Sequence, residues 1–262
     1  LETEALHKKF TELSQHSIVF YFQSSLQLMR NLNGLADNPR ILSGEDFDAM
    51  QSIQEASAKN HSACLSWLNL CQQFLALMVG DFAHAVELTR ELATLDTTAT
   101  CGYLYQYLLF LRALSEAILS RNPTSNRKNN RAYALKALKR LKKLTNFPCP
   151  ERGWSNKIFM VEAELYAAKN QRELALMKWH ASIKDAERQD LVHEQGWAHE
   201  RMAHTSLQWG QESQALLHFR EARTLYSAWG CVLKCNQMRQ IVGELTASKT
   251  EKPRRSRSFD EP

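Results

Sequence analysis

A histidine-rich segment offers the first candidate for chemistry. The sequence HEQGWAHERMAH covers residues 193–204, and His199, Glu200 and His204 stand close together in it. A zinc-protease helix carries two histidines one turn apart, with glutamate directly after the first, so that both rings reach one metal ion. His199 and His204 are instead five residues apart, which places them about 140° apart around a helix. The spacing argues against a zinc site, and we expect surface or groove histidines.

The cysteines do not form a recognisable site either. Most of them lie in apolar helical patterns, where cysteine packs as a small hydrophobic side chain. Their spacing gives neither a disulfide framework nor a CxxC metal-binding pair. We therefore predict core packing, no metal ion and a reducing, cytoplasmic location. The six positions are Cys64, Cys71, Cys101, Cys149, Cys231 and Cys235.

Motifs for catalysis and cofactor binding are missing from the sequence. It contains no GxxxxGK[ST], no GxGxxG and no nucleophile elbow. With 9 glycines in 262 residues, there is little material for a phosphate-binding loop. We predict no cofactor and no catalytic residue in this chain. An enzyme of unrecognised type is therefore a weaker hypothesis than the two non-catalytic ones given below.

Positive charge is concentrated in residues 121–143, which contain no acid. Such a segment could bind an acidic protein partner, nucleic acid or an anionic membrane. The alternative is a solvated helix face that binds no ligand. Aromatic residues do not alternate regularly with the basic ones, as they would for base stacking, so the pattern argues against nucleic acid. The candidate docking patch comprises Arg127, Lys128, Arg131, Lys139, Arg140 and Lys143.

The C-terminal residues 248–262 are polar and basic, which predicts a disordered tail. Arg255, Arg257 and Ser258 form an R-x-R-S pattern of the kind that basophilic kinases prefer. A phosphate there would reverse the local charge. Ser258 is therefore a candidate phosphosite and Ser256 a second one, with a chance match as the alternative.

Helical periodicity runs through the chain and must position all of these groups. Scarce glycine and proline favour long helices over a β-rich fold. Short connections predict antiparallel neighbours, with longer loops at 31–46 and 121–130. The apolar run 103–119 is interrupted by polar residues, so no transmembrane segment is predicted. We predict helices near 2–32, 45–57, 60–78, 81–95, 99–120, 130–145, 153–169, 171–188, 191–208, 211–228 and 231–247.

Three segments, 68–96, 159–187 and 199–227, align without gaps. In each, an apolar helix is followed by a turn residue and a second helix with alanine five residues after the turn. Gly or Asn tolerates the left-handed conformation that ends the first helix, and alanine lets the helices approach closely. The pattern predicts an all-α solenoid of antiparallel helix pairs in a right-handed superhelix. The turn residues are Gly80, Asn170 and Gly210, and the alanines are Ala85, Ala175 and Ala215.

The end of the third segment explains how the array stops. Gly230 ends the preceding helix, and Trp229 covers the end of the repeat. The next helix carries apolar residues on one face and is predicted to cap the array. We divide the chain into an irregular helical N-terminal region (1–58), the array with its capping helix (59–247) and the tail (248–262).

The paired pattern resembles the tetratricopeptide repeat, although the period is about 40 residues and no proline closes the second helix. The strings AELYAAKN, HEQGWAHERMA and ARTLYSAWGCVLK resemble the helical region that follows the AAA-type ATPase module of multidomain signalling proteins with kinase-like, sensor histidine kinase or nucleotide cyclase domains. Tyr226, Trp229, Gly230 and Lys234 recur in that family. Because the first residue is Leu1, we expect a segment of a longer protein.

The resemblance implies a non-catalytic regulatory region that acts through contacts with protein partners or with neighbouring domains of its own chain. A free-standing adaptor that binds a peptide or acidic protein is the alternative. Solenoids bind along the face lined by the first helix of each pair. We expect that face to carry Lys157, Met160, Glu164, Trp197, Glu200, His204 and Gln208, with Trp197 either a contact anchor or packed on the neighbouring pair.

Overall fold

A computed structural model describes residues 16–92, 102–145 and 153–250. Within these ranges the chain is all-α, apart from one hairpin of two short strands. Neighbouring helices in sequence pack side by side. The elements are α1 (His16–Leu32), β1 (Ser43–Gly44), β2 (Phe47–Asp48), α2 (Ala49–Ala58), α3 (Ser62–Val79), α4 (Phe82–Leu92), α5 (Gly102–Leu119), α6 (Arg127–Thr145), α7 (Ser155–Ala168), α8 (Arg172–Arg188), α9 (Val192–Gln208), α10 (Glu212–Trp229) and α11 (Val232–Thr250).

The turns between helices share one geometry. Asn170, Asp190, Gly210 and Gly230 follow one another at intervals of 20 residues, and all have positive φ. After each of them, the next backbone N–H donates to a carbonyl five residues back, as Gln211 N does to Ser206 O at 2.9 Å. This is the Schellman arrangement, which satisfies the last carbonyls of a helix. The predicted turns are confirmed, and Asp190 adds one that the aligned segments did not reveal.

The alanines after the turns are fully buried, as predicted. Ala85, Ala175 and Ala215 each have 0% exposure. Trp179 and Phe219, one turn further on, are also at 0%. Small and large side chains therefore alternate along the second helix of a pair, which permits close helix packing.

Among the described residues, three helix boundaries differ from the prediction by three residues or more. The helix predicted at 45–57 begins at Ala49, because Phe47 and Asp48 belong to the hairpin and the Asp48 carboxylate accepts from Gln51 N at 2.8 Å. The helix predicted at 130–145 begins at Arg127, where the Asn126 side chain accepts from Asn129 N. Helix α11 continues to Thr250, into the first residues of the predicted tail. In the last two cases, polar residues that we interpreted as loop extend a helix.

The first helices of the pairs converge on one another through large aromatic side chains. Trp197 of α9 lies edge-on to Phe74 of α3 and to Phe110 of α5, with ring centroids 6.1 and 5.9 Å apart. Trp197 is 2% exposed and Phe110 is 0% exposed. The interior that an open superhelix would leave as a groove is therefore filled here by the chain's own core.

The C-terminal helix packs against the N-terminal region. Cys231, directly before α11, donates from Sγ to the carbonyl of Leu32 at the end of α1. One hydrophobic cluster joins Leu32 and Leu68 to Tyr226 and Met238. Helix α11 therefore packs on α10 and is also in contact with α1, and residues 16–58 share a core with the later helices. Val232, predicted for the apolar face of α11, is exposed.

One helix among the described residues, α3, is long and apolar enough to cross a membrane by length and composition alone. The sequence pointed instead to 103–119 as the longest apolar run. Most of the α3 side chains, including Leu68, Leu75 and Leu77, are buried against other helices. This is the pattern of a core helix.

A cationic cleft above buried ion pairs

Charged side chains link the first helices of the pairs inside the fold. Glu164 of α7 is fully buried between two guanidinium groups. Arg201 of α9 donates from Nε to Glu164 Oε1 at 2.7 Å, and Arg121, just after α5, donates to Oε2. Arg121 also donates to Thr205 Oγ1 at 2.6 Å and to the side chain of Gln208. One carboxylate thus holds α5, α7 and α9 together.

A second buried network centres on Glu200 of α9. Lys234 of α11 donates to Glu200 Oε1 at 2.8 Å, and the Tyr226 hydroxyl of α10 donates to Oε2 at 2.6 Å. Burial alone would raise the pKa of Glu200, but the adjacent charge of Lys234 and the hydrogen bonds outweigh it and hold that pKa below its usual range. For Glu164 the two guanidiniums have the same effect, so its pKa is also lowered despite burial. Both glutamates are therefore ionised at neutral pH.

A third pair lies at the other end of α7. Lys157 donates to Glu194 at 2.7 Å and to the carbonyl of Gly153 at 2.6 Å. The Asn156 side chain also donates to Glu194. Burial lowers the pKa of Lys157, and the charge of Glu194 opposes that shift. This pair is enclosed and is a structural link between α7 and α9.

The first two networks form one wall of an open cleft. The cleft has a volume of about 560 Å³ and lies between the C-terminal ends of α3 and α5, the second half of α9 and the first half of α11. We call it the cationic cleft. Its polar lining is Arg121, Asn122, Glu200, Arg201, His204, Gln208, Lys234, Gln237 and Gln240, and its apolar lining includes Val79, Phe82, Ile118, Leu119, Met238 and Ile241.

The charge of this cleft is positive by one unit. Three cations, Arg121, Arg201 and Lys234, line it, while the buried carboxylates of Glu164 and Glu200 neutralise two of them. The guanidinium of Arg201 lies 5.2 Å from the ring centre of Phe82. Its terminal Nη groups form no hydrogen bond to another residue within the described ranges. They are free to donate to a ligand carboxylate.

His204 stands in the wall of the cleft as a neutral ring. Burial, with the nearby charge of Arg201, lowers its pKa to about 4. Its ring edge packs on Phe219, with centroids 5.0 Å apart, and Nε2 lies 3.9 Å from Glu200 Oε1. At neutral pH this histidine adds no positive charge to the cleft.

Of the seven residues predicted for an inner binding face, three line the cationic cleft, namely Glu200, His204 and Gln208. Glu164 lies directly beneath it, bound to two of the lining arginines. The expectation of an exposed face is wrong for Lys157 and Met160, which are buried. For Trp197, the second of the two alternatives holds, since its ring packs on neighbouring helices and is 2% exposed. The reason is that α3 and α5 cover the inner face of α9, so Trp197 packs on them instead of anchoring a partner.

The other sequence-predicted groups do not join the cleft. The six basic patch residues are exposed along α6, on a different part of the molecule. His199 points away from His204, and its Nδ1 lies 3.0 Å from Nδ1 of His218 on α10. Ser256 and Ser258 lie outside the described residues. Within the described ranges no group of three His, Cys, Asp or Glu side chains could hold a metal ion, and Cys64, Cys71, Cys231 and Cys235 are free thiols.

Sequence reasoning missed Arg121 and Arg201 as members of the cleft. Both were visible as charged residues next to apolar helical positions, Arg201 between Glu200 and Met202 and Arg121 directly after the apolar helix α5. A charge at such a position needs a buried partner, but the sequence does not say which helix supplies it.

No protein-family model, no curated protein and no solved structure matches this chain. The geometry of the cationic cleft is therefore the main basis for a functional proposal.

Proposed function

We propose that this chain is a non-catalytic protein-interaction module, built of tetratricopeptide-like helix pairs, whose cationic cleft binds an acidic segment of a protein. The segment belongs either to a separate partner or to a neighbouring domain of the same chain. The observation that carries this proposal is the excess positive charge of the cleft together with the unengaged Nη groups of Arg201. A charge-assisted hydrogen bond from a guanidinium to a carboxylate is among the stronger polar contacts that proteins make.

The shape and lining of the cleft favour a peptide segment over a small anion. A volume of about 560 Å³ is far larger than one carboxylate or phosphate needs. Apolar side chains from α3, α5 and α11, such as Val79, Ile118 and Ile241, line the same cleft as the arginines. Apolar surface of this kind provides most of the binding energy in ligand pockets, while the few polar groups set orientation. A peptide with an acidic residue next to an aliphatic one would pair with the arginines and pack on the apolar side chains.

A selection experiment tests this proposal. The full chain is immobilised and a random peptide library is selected on it. We expect the enriched peptides to carry Asp or Glu next to large aliphatic residues. Enrichment of basic peptides, or of none, would contradict the proposal.

Matched variants then locate the binding site. Gln237 and Gln240 lie in the wall of the cationic cleft on α11 and are outside the ion-pair networks. Replacing both with glutamate adds two negative charges, and we expect the enriched peptide to bind on the order of 10-fold more weakly. The control is Gln54→Glu with Gln72→Glu, which makes the same charge change in a separate cleft beside α2. Equal loss in both variants would mean that the peptide binds elsewhere.

A second, more specific function is favoured by the Glu200 network. The resemblance to the helical region of AAA-type ATPase signalling proteins depends on Tyr226, Trp229, Gly230 and Lys234. Tyr226 and Lys234 both bind Glu200, while Trp229 stacks on His193 with ring centroids 5.0 Å apart. Through these contacts, Tyr226, Trp229 and Lys234, which recur in that family, connect α9, α10 and α11. This supports a regulatory region that acts on an ATPase module of its own chain.

The gene sequence upstream of Leu1 distinguishes the two forms of the proposal. A phosphate-binding loop and kinase-like or cyclase motifs encoded there support the regulatory region, and the acidic segment is then sought in those domains. A start codon directly before Leu1 supports the free-standing adaptor and contradicts the regulatory form.

A further inference from the structure

Helix α6 presents a row of exposed cations that lies outside the cationic cleft. Its sequence, RKNNRAYALKALKRLKKLT, contains eight basic residues and no acid. The other second helices differ, because α8 carries Glu173, Asp185 and Glu187 among its bases and α10 carries Glu212 and Glu221. The concentration of one sign of charge is therefore a property of α6 alone among these three outer helices.

The side chains of this row are held by few partners. Lys142 pairs with Glu162, Arg140 lies over the ring of Tyr105, and Arg127 donates to a backbone carbonyl. The other five form no ion pair with any residue that the structure describes. They are Lys128, Arg131, Lys136, Lys139 and Lys143, which we call the lysine row.

The lysine row occupies the outer face of the helix. The opposite face is buried through Ala134, Ala137, Leu138 and Leu141. From position 128 to position 143 the row extends about 22 Å along the axis. Leu135, 45% exposed, lies in the middle of the row, and Tyr133, 44% exposed, lies at its flank. The row is thus a strip of exposed charges with apolar groups among them.

We propose that the lysine row is a docking surface for a lipid membrane that contains anionic headgroups. A flat bilayer reaches all the charges of a straight outer helix at once. Lysines near an anionic leaflet are each attracted to it without needing fixed geometry. Leu135 and Tyr133 then contact the headgroup region, as apolar side chains of interfacial helices do.

The same features favour a membrane over an acidic protein or nucleic acid. Four of the five residues are lysines, which act as hydrated point charges, whereas specific carboxylate or phosphate recognition generally uses arginine forks. None of the five residues lines the cationic cleft or the cleft beside α2. This inference uses residues on α6 and does not depend on the acidic-peptide proposal for the cationic cleft.

Vesicle sedimentation tests the inference. The full chain is mixed with vesicles of phosphatidylcholine alone or with about 30% phosphatidylserine, the latter giving a surface that attracts basic segments. We expect co-sedimentation only with the anionic vesicles, and weaker binding as salt is raised. Replacing Lys128, Lys136, Lys139 and Lys143 with glutamine should weaken the apparent affinity on the order of 100-fold or more.

A variant of equal charge serves as the control. Lys59, Lys169, Lys184 and Arg223 are exposed on or directly after other helices, and replacing all four with glutamine should leave most of the vesicle binding intact. Circular dichroism checks that both variants keep their helical content. Equal binding by the two variants, or no binding of the unmodified chain to anionic vesicles, overturns the inference. Binding of the unmodified chain to immobilised duplex DNA or polyglutamate, without binding to anionic vesicles, also overturns the inference.

Discussion

Replacing Glu164 with glutamine is expected to lower the free energy of unfolding by about 3–5 kcal/mol, because it removes the carboxylate between two buried guanidiniums. Arg121 and Arg201 have 6% and 7% of their side-chain surface exposed. Most of each guanidinium-bearing side chain is buried among α5, α7 and α9, and the cleft hydrates only the small exposed part of each. Urea unfolding, followed by circular dichroism at pH 7, measures the change.

Glu162 provides the control on the same helix. It also binds two cations, Lys142 and Lys178, but those side chains are 47% and 22% exposed. Glu162→Gln should therefore cost about 1 kcal/mol or less. If Arg201→Met and Glu164→Met are combined, part of the lost stability should return, since an apolar pair leaves one fewer buried charge unpaired. Equal effects of the two Glu→Gln changes would show that the Glu164 network is not buried as described.

Acidification from pH 7 to about pH 4.5 is expected to destabilise the fold through its buried histidines. Burial lowers the pKa of both His199 and His204 from 6.5 to about 4. In this range the unfolded chain binds protons that the folded chain excludes, so stability is complete above pH 6.5 and is lost as the pH falls. A fully buried ring with this shift would contribute about 3 kcal/mol, and partial exposure reduces this to about 1–2 kcal/mol each.

The pH effect has a specific control. His199→Gln with His204→Gln should flatten the dependence of the unfolding free energy on pH between 7 and 4.5. Some slope should remain, because burial also lowers the pKa of His193 and His218. The pair His61 and His84, replaced in the same way, is the comparison, and we expect a smaller change of slope from it because both rings are exposed. Glu164 and Glu200 have lowered pKa values and add their own loss of stability only at still lower pH. An equal dependence of the unfolding free energy on pH in the unmodified chain and in both double variants would contradict the role given to His199 and His204.

Much of the fold could be predicted from local signals in the sequence. Gly80, Asn170 and Gly210 mark helix ends because few other residues adopt positive φ without strain. The buried alanines follow because a period of 3.6 residues fixes which positions face inward. Errors at Phe47 and Arg127 arose where a side chain caps a helix, which periodicity does not reveal.

The candidate site was predicted only in part. Periodicity placed Glu200, His204 and Gln208 on the inner side of α9, and all three line the cleft. It could not reveal that Phe74 and Phe110, far away in the chain, cover Trp197. The pairing of Arg121 and Arg201 with Glu164 is likewise a contact between three helices. Such contacts depend on how the helices pack, and a single sequence shows only which residues need a partner.

We propose that an acidic segment binds in the cationic cleft and not on an open inner face. Methyl NMR of methionine tests it directly, because the 7 methionines give few, separable signals. Met238 lines the cleft, while Met50 and Met177 are exposed on α2 and α8. Addition of the selected acidic peptide should shift the Met238 methyl signal and leave those of Met50 and Met177 in place. A shift of Met50 or Met177 with Met238 unchanged would contradict the account.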